Sequence, residues 1–288
     1  MRDNRTLIVT ADDFGLSVSV NEAVENAHRQ GFLSAASLMV GAKAAGDAVE
    51  RARGLPLLGV GLHLTLLDGR PVLPPEELPD LVGLDGRFPS DPFRFGVALY
   101  SSQAMQRQAN AEIEAQFERF SATGLTMDHI NGHKHFHLHP VVSRAIARMA
   151  PRFDRPPVRV PLEPFVPSFR ANRNRALGRL AGWLFYYVQT RRIRRELTAS
   201  SIPSNDHLFG IYDSGAMTED RVLRLLDQLP GGVSEIYCHP ATRRCEGPDN
   251  APSSYESENE LAALLSPEVK KKMAAQGLRT SSYRAALS

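Results

Sequence analysis

Thr6-Leu7-Ile8-Val9-Thr10-Ala11-Asp12-Asp13-Phe14-Gly15 is a short apolar run, rich in β-branched residues, that stops at two carboxylates. It reads as a buried strand. Parallel α/β sheets and barrels place their chemistry at the carboxyl ends of such strands, where Asp12 and Asp13 stand. The plainer role for an aspartate here is to cap the helix predicted over 20–30, with Gly15 in the turn. Ser17 or Ser19 can serve that purpose instead. Two adjacent carboxylates repel each other and favour a nearby cation.

Outward from this stretch, strands and helices alternate. The pattern predicts a strand over 31–40, a helix over 44–53 and a strand over 57–64, and this order indicates parallel α/β architecture. His63 closes its strand as the aspartates close theirs, although a lone histidine in an apolar setting is ordinarily a core residue bonded to a carbonyl. Residues 68–100 are rich in Pro, Gly and Asp and read as a long loop over the strand ends. An amphipathic helix follows over 105–123, with Ile113, Phe117 and Phe120 on one side and Glu112, Glu114 and Glu118 toward solvent. Further along come strands over 127–131 and 158–161, a helix over 140–149 and a helix over 218–228 capped by Thr218. A strand over 234–240 ends in His239. The helix over 253–265 carries early acids suited to its positive amino end, and 277–283 reads as a last short strand. No repeat or linker argues for a second domain, so 1–288 reads as one domain with an insert at about 163–205.

Between 128 and 140 lies Asp128-His129-Ile130-Asn131-Gly132-His133-Lys134-His135-Phe136-His137-Leu138-His139-Pro140, which holds five of the nine histidines. In an extended segment, His133, His135, His137 and His139 alternate onto one face. Imidazole suits Zn, Cu, Fe and Ni, so metal binding is the sharp expectation, and a solvated His-rich loop is the bland one. Asp12, Asp13, His63, this cluster and His239 converge only if the strands are parallel. Two imidazoles and one carboxylate leave positions open on a divalent ion, as in a catalytic rather than a structural site. Such an ion acidifies water and polarises a carbonyl. With an aspartate as general base and a distal histidine as general acid, hydrolysis of an amide or ester fits these parts.

Composition sets the remaining bounds. Of the 288 residues, 42% are hydrophobic and 23% charged, with a net charge of +2, which describes an ordinary folded protein. Cys238 and Cys245 are too few for a disulfide framework, so a reduced, cytoplasmic protein is expected, although the two could close a small bridge. No signal peptide opens the sequence, and no apolar run approaches the roughly 18 residues of a spanning helix. From 165 to 197 the composition changes: arginines flank an apolar, aromatic centre at 180–188, and no acid occurs between Glu163 and Glu196. This is either a helix pair packed on the domain or a segment facing anionic lipid headgroups. Nucleic acid is not expected, because no reading motif accompanies the arginines.

Four motifs now stand in order: Leu7-Ile8-Val9-Thr10-Ala11-Asp12-Asp13-Phe14-Gly15, Gly61-Leu62-His63-Leu64, His133-Lys134-His135-Phe136-His137 with Pro140, and Tyr237-Cys238-His239-Pro240. Together they resemble the YdjC-type carbohydrate deacetylases, the chitooligosaccharide deacetylase (ChbG-like) family, over nearly the whole chain. The resemblance implies a distorted (β/α) barrel of the NodB-like kind that removes acetyl groups from N-acetylated sugars with one divalent metal ion. Zn is favoured on ligand type, and Mg, Mn or Co would also suit. It further implies metal ligation by Asp13, His63 and His133, with Asp12 as base and His239 as acid. His135 and His137 are then substrate-facing or supporting, and Phe14 and Arg70 join them as substrate-binding candidates. Asn131-Gly132 stands where many relatives have Asp-Ser. The arginine- and aromatic-rich insert, Thr10 and the Asn-Gly-His-Lys-His form resemble the hopanoid-biosynthesis-associated branch (HpnK). That implies an N-acetylglucosaminyl lipid as substrate, met at the inner face of a membrane. A deacetylase of soluble chitooligosaccharides and a non-catalytic sugar- or lipid-binding barrel are the alternatives. The Asp12-Asp13 pair speaks against a mere binder, which needs a ligand and no base.

Overall fold

The computed structural model describes residues 5–173, 176–244 and 252–288. The first half runs β1 (Arg5–Phe14), α1 (Val18–Gln30), β2 (Ala35–Leu38), α2 (Ala45–Arg53), β3 (Gly59–Leu64), α3 (Pro92–Ser101), α4 (Gln103–Ser121), β4 (Ile130–Gly132) and α5 (Pro140–Met149). The second runs α6 (Phe165–Ala171), α7 (Ala176–Ala199), β5 (His207–Phe209), α8 (Glu219–Leu226), β6 (Gly232–Cys238), α9 (Ser257–Leu265), α10 (Pro267–Ala275) and α11 (Tyr283–Leu287). The six strands pair in the order β4-β3-β2-β1-β6-β5, all parallel. β1 is central and its last eight residues are buried, as are all of β2 and β3. Helices therefore cover the sheet, which explains why the strands read as apolar runs rather than alternations.

The sheet curls into a distorted barrel, and residues 157–162 span the gap between its edges. Ile130 N donates to Pro157 O (2.8 Å) and Arg159 N to Ile130 O (2.9 Å) on the β4 side. Opposite, Val158 N donates to Pro203 O (2.9 Å) and Leu208 N to Leu162 O (3.0 Å). The Asn205 side chain stands in for a ladder residue, accepting from Val160 N (2.7 Å) and donating to Val160 O (3.1 Å). The short strand predicted at 158–161 is thus a single bridge, Ile130 to Val158, inside this irregular closure.

Several sequence expectations change. Residues 68–100 are not one loop: α3 begins at Pro92, with the Asp91 carboxylate accepting from Phe93 N and Arg94 N. Phe95 and Leu99, four residues apart, bury its inner face. Glu112 does not face solvent but is fully buried, accepting from Val72 N and Leu73 N at 2.9 and 3.0 Å. Thr218 occupies the N-cap of α8 without a side-chain cap bond, and Glu219 and Asp220 supply negative charge to that first turn instead. The strand expected at 277–283 reduces to one bridge, Leu7 to Thr280, before α11. Cys238 is buried as a free thiol, and Cys245 lies outside the described residues.

Candidate metal and active site

At the end of β1 the chain breaks its alternation. Successive strand residues normally point to opposite faces. Here Asp13 takes a left-handed conformation (φ 63°), and the register against β2 shifts between Ala11 and Phe14. This local bulge lets both Asp12 and Asp13 line one cavity. Ser17 caps α1 by accepting from Val20 N, which frees the aspartates from that task.

Asp13, His63 and His133 each present a ligand atom within 4.8 Å of the other two. Asp13 Oδ1 lies 3.3 Å from His63 Nε2 and 3.0 Å from His133 Nδ1. His63 Nδ1 lies 2.6 Å from Asn131 Oδ1. An amide oxygen only accepts, so His63 carries its proton on Nδ1 and turns the Nε2 lone pair to the site. Asn131 Nδ2 donates to Ser37 Oγ (2.8 Å) and Asp12 Oδ1 (3.2 Å). An amide suits this position because it must accept on one side and donate on the other. Asp68, at φ 59°, meets His133 Nε2 at 3.4 Å and Lys134 Nζ at 2.6 Å.

Burial raises the Asp13 carboxyl, yet His133 and His63 more than offset that and hold it well below the usual carboxylate range. Burial disfavours protonated His133, but Asp13 and Asp68 push its pKa up to about 10. Negative charge in this pocket seeks a cation, and an Asp-His-His donor set with room beside it fits a divalent ion.

Asp12 is bound differently. Arg159 Nη1 and Nη2 donate to its two oxygens at 2.6 and 2.9 Å, and Ser37 Oγ donates at 2.9 Å. Burial raises its pKa, and Arg159, foremost among nearby positive groups, lowers it far below the usual range. The same guanidinium donates through Nε to Glu235 at 3.0 and 3.1 Å, and the Tyr283 hydroxyl also donates to Glu235. His239, just past β6, lines the cavity; its backbone N–H donates to buried Glu260, and its Nδ1 has no hydrogen-bond partner among the described residues. Tyr255 lies against its ring at 4.8 Å.

The histidine run is not an extended face of imidazoles. Residues 133–138 coil into a 3-10 turn, with Lys134 and His135 left-handed at φ 52° and 54°. His133 and His135 line the cavity. His135 Nε2 is 3.3 Å from the Tyr237 hydroxyl, and burial keeps the ring neutral. His137 points away, donating from Nε2 to Arg159 O at 3.0 Å; burial brings its pKa down to about 3. His139 caps α5, accepting from Val141 N and donating to Gly96 O. His129 is buried between Asp128 and Ser37 and stacks on Tyr283 at 4.6 Å. Gly61 makes room for it, because a Cβ there would meet the His129 ring at 2.5 Å.

Of the two other substrate-binding candidates, Arg70 lines the cavity, whereas Phe14 is fully buried in the hydrophobic core and does not reach it. His137, too, supports the backbone of Arg159 rather than facing the cavity. The cavity encloses about 680 Å³ and is walled by Tyr186, Tyr237 and Tyr255 on one side and Arg70 and Lys134 among the basic residues. Sequence reasoning missed Arg159, Glu235, Asn131, Asp68 and these tyrosines. Arg159 between Val158 and Val160, and Glu235 beside Ile236, were the visible signals: isolated charges in apolar strands.

The sequence profile of the YdjC-like protein family matches residues 6–275. The chain belongs to the YdjC-like family. A carbohydrate deacetylase of Geobacillus stearothermophilus is 34% identical over 283 residues, covering 97% of each chain. A carbohydrate deacetylase of Vibrio vulnificus (strain CMCP6) is 32% identical, covering 96% of this chain and 94% of its own. The crystal structure of an Enterococcus faecalis V583 protein, assigned provisionally to cellobiose-phosphate cleavage, superposes with a TM-score of 0.73 at 24% identity. It covers 99% of this chain and 100% of its own, and it shares the fold described above.

Proposed function

We propose that this YdjC-like protein is a carbohydrate deacetylase that hydrolyses the acetamide of an N-acetylglucosaminyl unit carried on a lipid, with a divalent metal at Asp13, His63 and His133. Deacetylation of a carbohydrate is supported by the 34% identical relative over 97% of the chain. The observation that carries the chemistry is the ionised Asp12 standing beside an independent Asp-His-His donor set in one cavity. Asp13, His63 and His133 would hold the ion, Zn on ligand type or otherwise Mg, Mn or Co, and it would supply Lewis-acid chemistry there.

The protein's own groups do the rest. Arg159 keeps Asp12 anionic and aimed, at the expense of basicity, and Asp12 accepts a proton from the water that attacks the acetamide carbon. His239 gives a proton to the leaving amine as the C–N bond breaks, releasing acetate and the free amino sugar. His135, neutral and facing the cavity, and Arg70 at its edge bind the sugar, whose apolar ring faces match the tyrosine wall.

The lipid-borne substrate is supported by the insert. Leu177, Leu184, Phe185 and Val188 of α7 are exposed, an apolar surface that suits a lipid better than a sugar free in water. The resemblance to the hopanoid-associated branch adds a hopanoid-linked glycolipid as the specific candidate, reached peripherally from the cytoplasmic side. Among the described residues no helix is long and apolar enough to cross a membrane.

Acetate release from a glucosaminyl lipid and from N,N'-diacetylchitobiose tests this. A higher kcat/KM for the lipid is expected. A higher value for chitobiose would favour the soluble oligosaccharide, and no acetate from either, with each of the four metals, would leave a binding barrel.

A further inference from the structure

A surface helix ordinarily turns its apolar side inward, whereas the first half of α7 buries Arg179 and exposes its apolar side chains. Leu177, Leu180, Leu184 and Val188 recur every three or four residues along one side, and each is at least 41% exposed. Phe185 beside them is 63% exposed. The side turned to the protein carries Arg179, Thr190, Ile193 and Leu197. α3 buries apolar Phe95 and Leu99 in the ordinary way, yet it also exposes Phe93, Val97 and Tyr100. Both helices pack on α5. They also meet the same short stretch before it, since Arg192 donates to Leu138 O and Tyr100 faces the His139 ring at 6.4 Å. Exposed apolar side chains grouped on neighbouring helices in this way mark an interaction site.

Two features say what covers it. The first is charge: the α7 stripe continues into exposed Arg191 and Arg195, exposed Arg170 and Arg173 precede it, and no acid occurs between Glu163 and Glu196. A second copy docking through the same face would bring these arginines together, whereas apolar side chains flanked by arginine match the acyl boundary and headgroups of an anionic membrane. The second is position: Phe185 touches Tyr186 edge-to-face at 5.5 Å, and Tyr186 lines the cavity.

We infer that α7 and α3 together form a docking face for the surface of an anionic bilayer, with Tyr186 joining that face to the active-site cavity. The inference rests on the glycolipid reading above only for what the bilayer presents to the cavity. Apolar side chains enter the headgroup boundary, arginines pair with lipid phosphates, and the catalytic groups meet a sugar standing just above the membrane plane.

Flotation with vesicles of equal parts phosphatidylglycerol and phosphatidylcholine, set against pure phosphatidylcholine vesicles, tests the face directly. The full-length protein should float with the anionic vesicles only, and less as salt rises. The combined variant Leu184→Ser, Phe185→Ser, Val188→Ser should lose binding. Arg191→Gln and Arg195→Gln should each weaken it about five-fold. All three proteins should release acetate from soluble diacetylchitobiose as the parent does, which also shows that they fold. No flotation at low salt, equal flotation on neutral vesicles, or a concentration-dependent dimer broken by the serine substitutions would overturn the inference. Flotation of the expected pattern with no acetate from any N-acetyl sugar would sustain the docking face and sink the deacetylase reading instead.

Discussion

Arg159 holds two carboxylates, Asp12 and Glu235, with no exposure of its own side chain. Removing one partner from such a buried cluster leaves charge unpaired, which typically costs about 3–5 kcal/mol. Arg159→Met should therefore lower the urea unfolding free energy by that amount, and an unchanged midpoint would show that the triad contributes nothing. The residues at this scale were partly legible. Asp12, Asp13, His63 and His239 stood out because polar groups ended apolar runs, whereas His133 was picked out of its cluster by the family resemblance alone. Arg159 and Glu235 escaped, because their pairing depends on the register of β1 against β6 and on the 157–162 closure, contacts far apart in sequence. The fates of the five clustered histidines were also hidden. Lys134 and His135 adopt left-handed conformations without a glycine to announce them, so an extended face was the natural and mistaken expectation.

Elements with a clear period were readable, and those set by capping or burial were not. β1, α2, β3 and α5 follow their sequence signals closely, whereas α3 was lost among prolines and glycines although Asp91-Pro92 announces its start. The insert joins the cavity through Glu163, which accepts from Ile211 N at 2.7 Å and from the Ser168 hydroxyl. Burial pushes Glu163 up to about 7, despite these bonds. A carboxyl raised in the folded state binds its proton more tightly there than in the unfolded chain. Its contribution to stability is thus full below about 4.5 and is lost as pH rises through about 7. Thermal melts across that window should show this loss in the parent protein, and Glu163→Gln should flatten it. An identical pH profile in the two proteins would contradict the assignment.

For the whole molecule, parallel strands explain why residues more than two hundred positions apart share one cavity. Each strand ends on the same side, so Asp12, Asp13, His63, His133 and His239 all arrive there. Alternating apolar runs and helical patterns were enough to expect parallel α/β architecture, and the barrel form was implied by the family resemblance alone. The irregular closure through 157–162 and Asn205 was not legible, since a side chain replaces part of the backbone ladder. We propose that this convergence builds a metal-dependent hydrolase. Its most direct test is acetate release from an N-acetylglucosaminyl substrate by chelator-stripped protein, with Zn, Mg, Mn or Co then added back, beside Asp12→Asn. Activity should vanish on stripping and return with metal. Asp12→Asn should bind metal normally yet fall by about 10²–10⁴-fold. Acetate release that survives stripping, or an Asp12→Asn protein as active as its parent, would contradict the account.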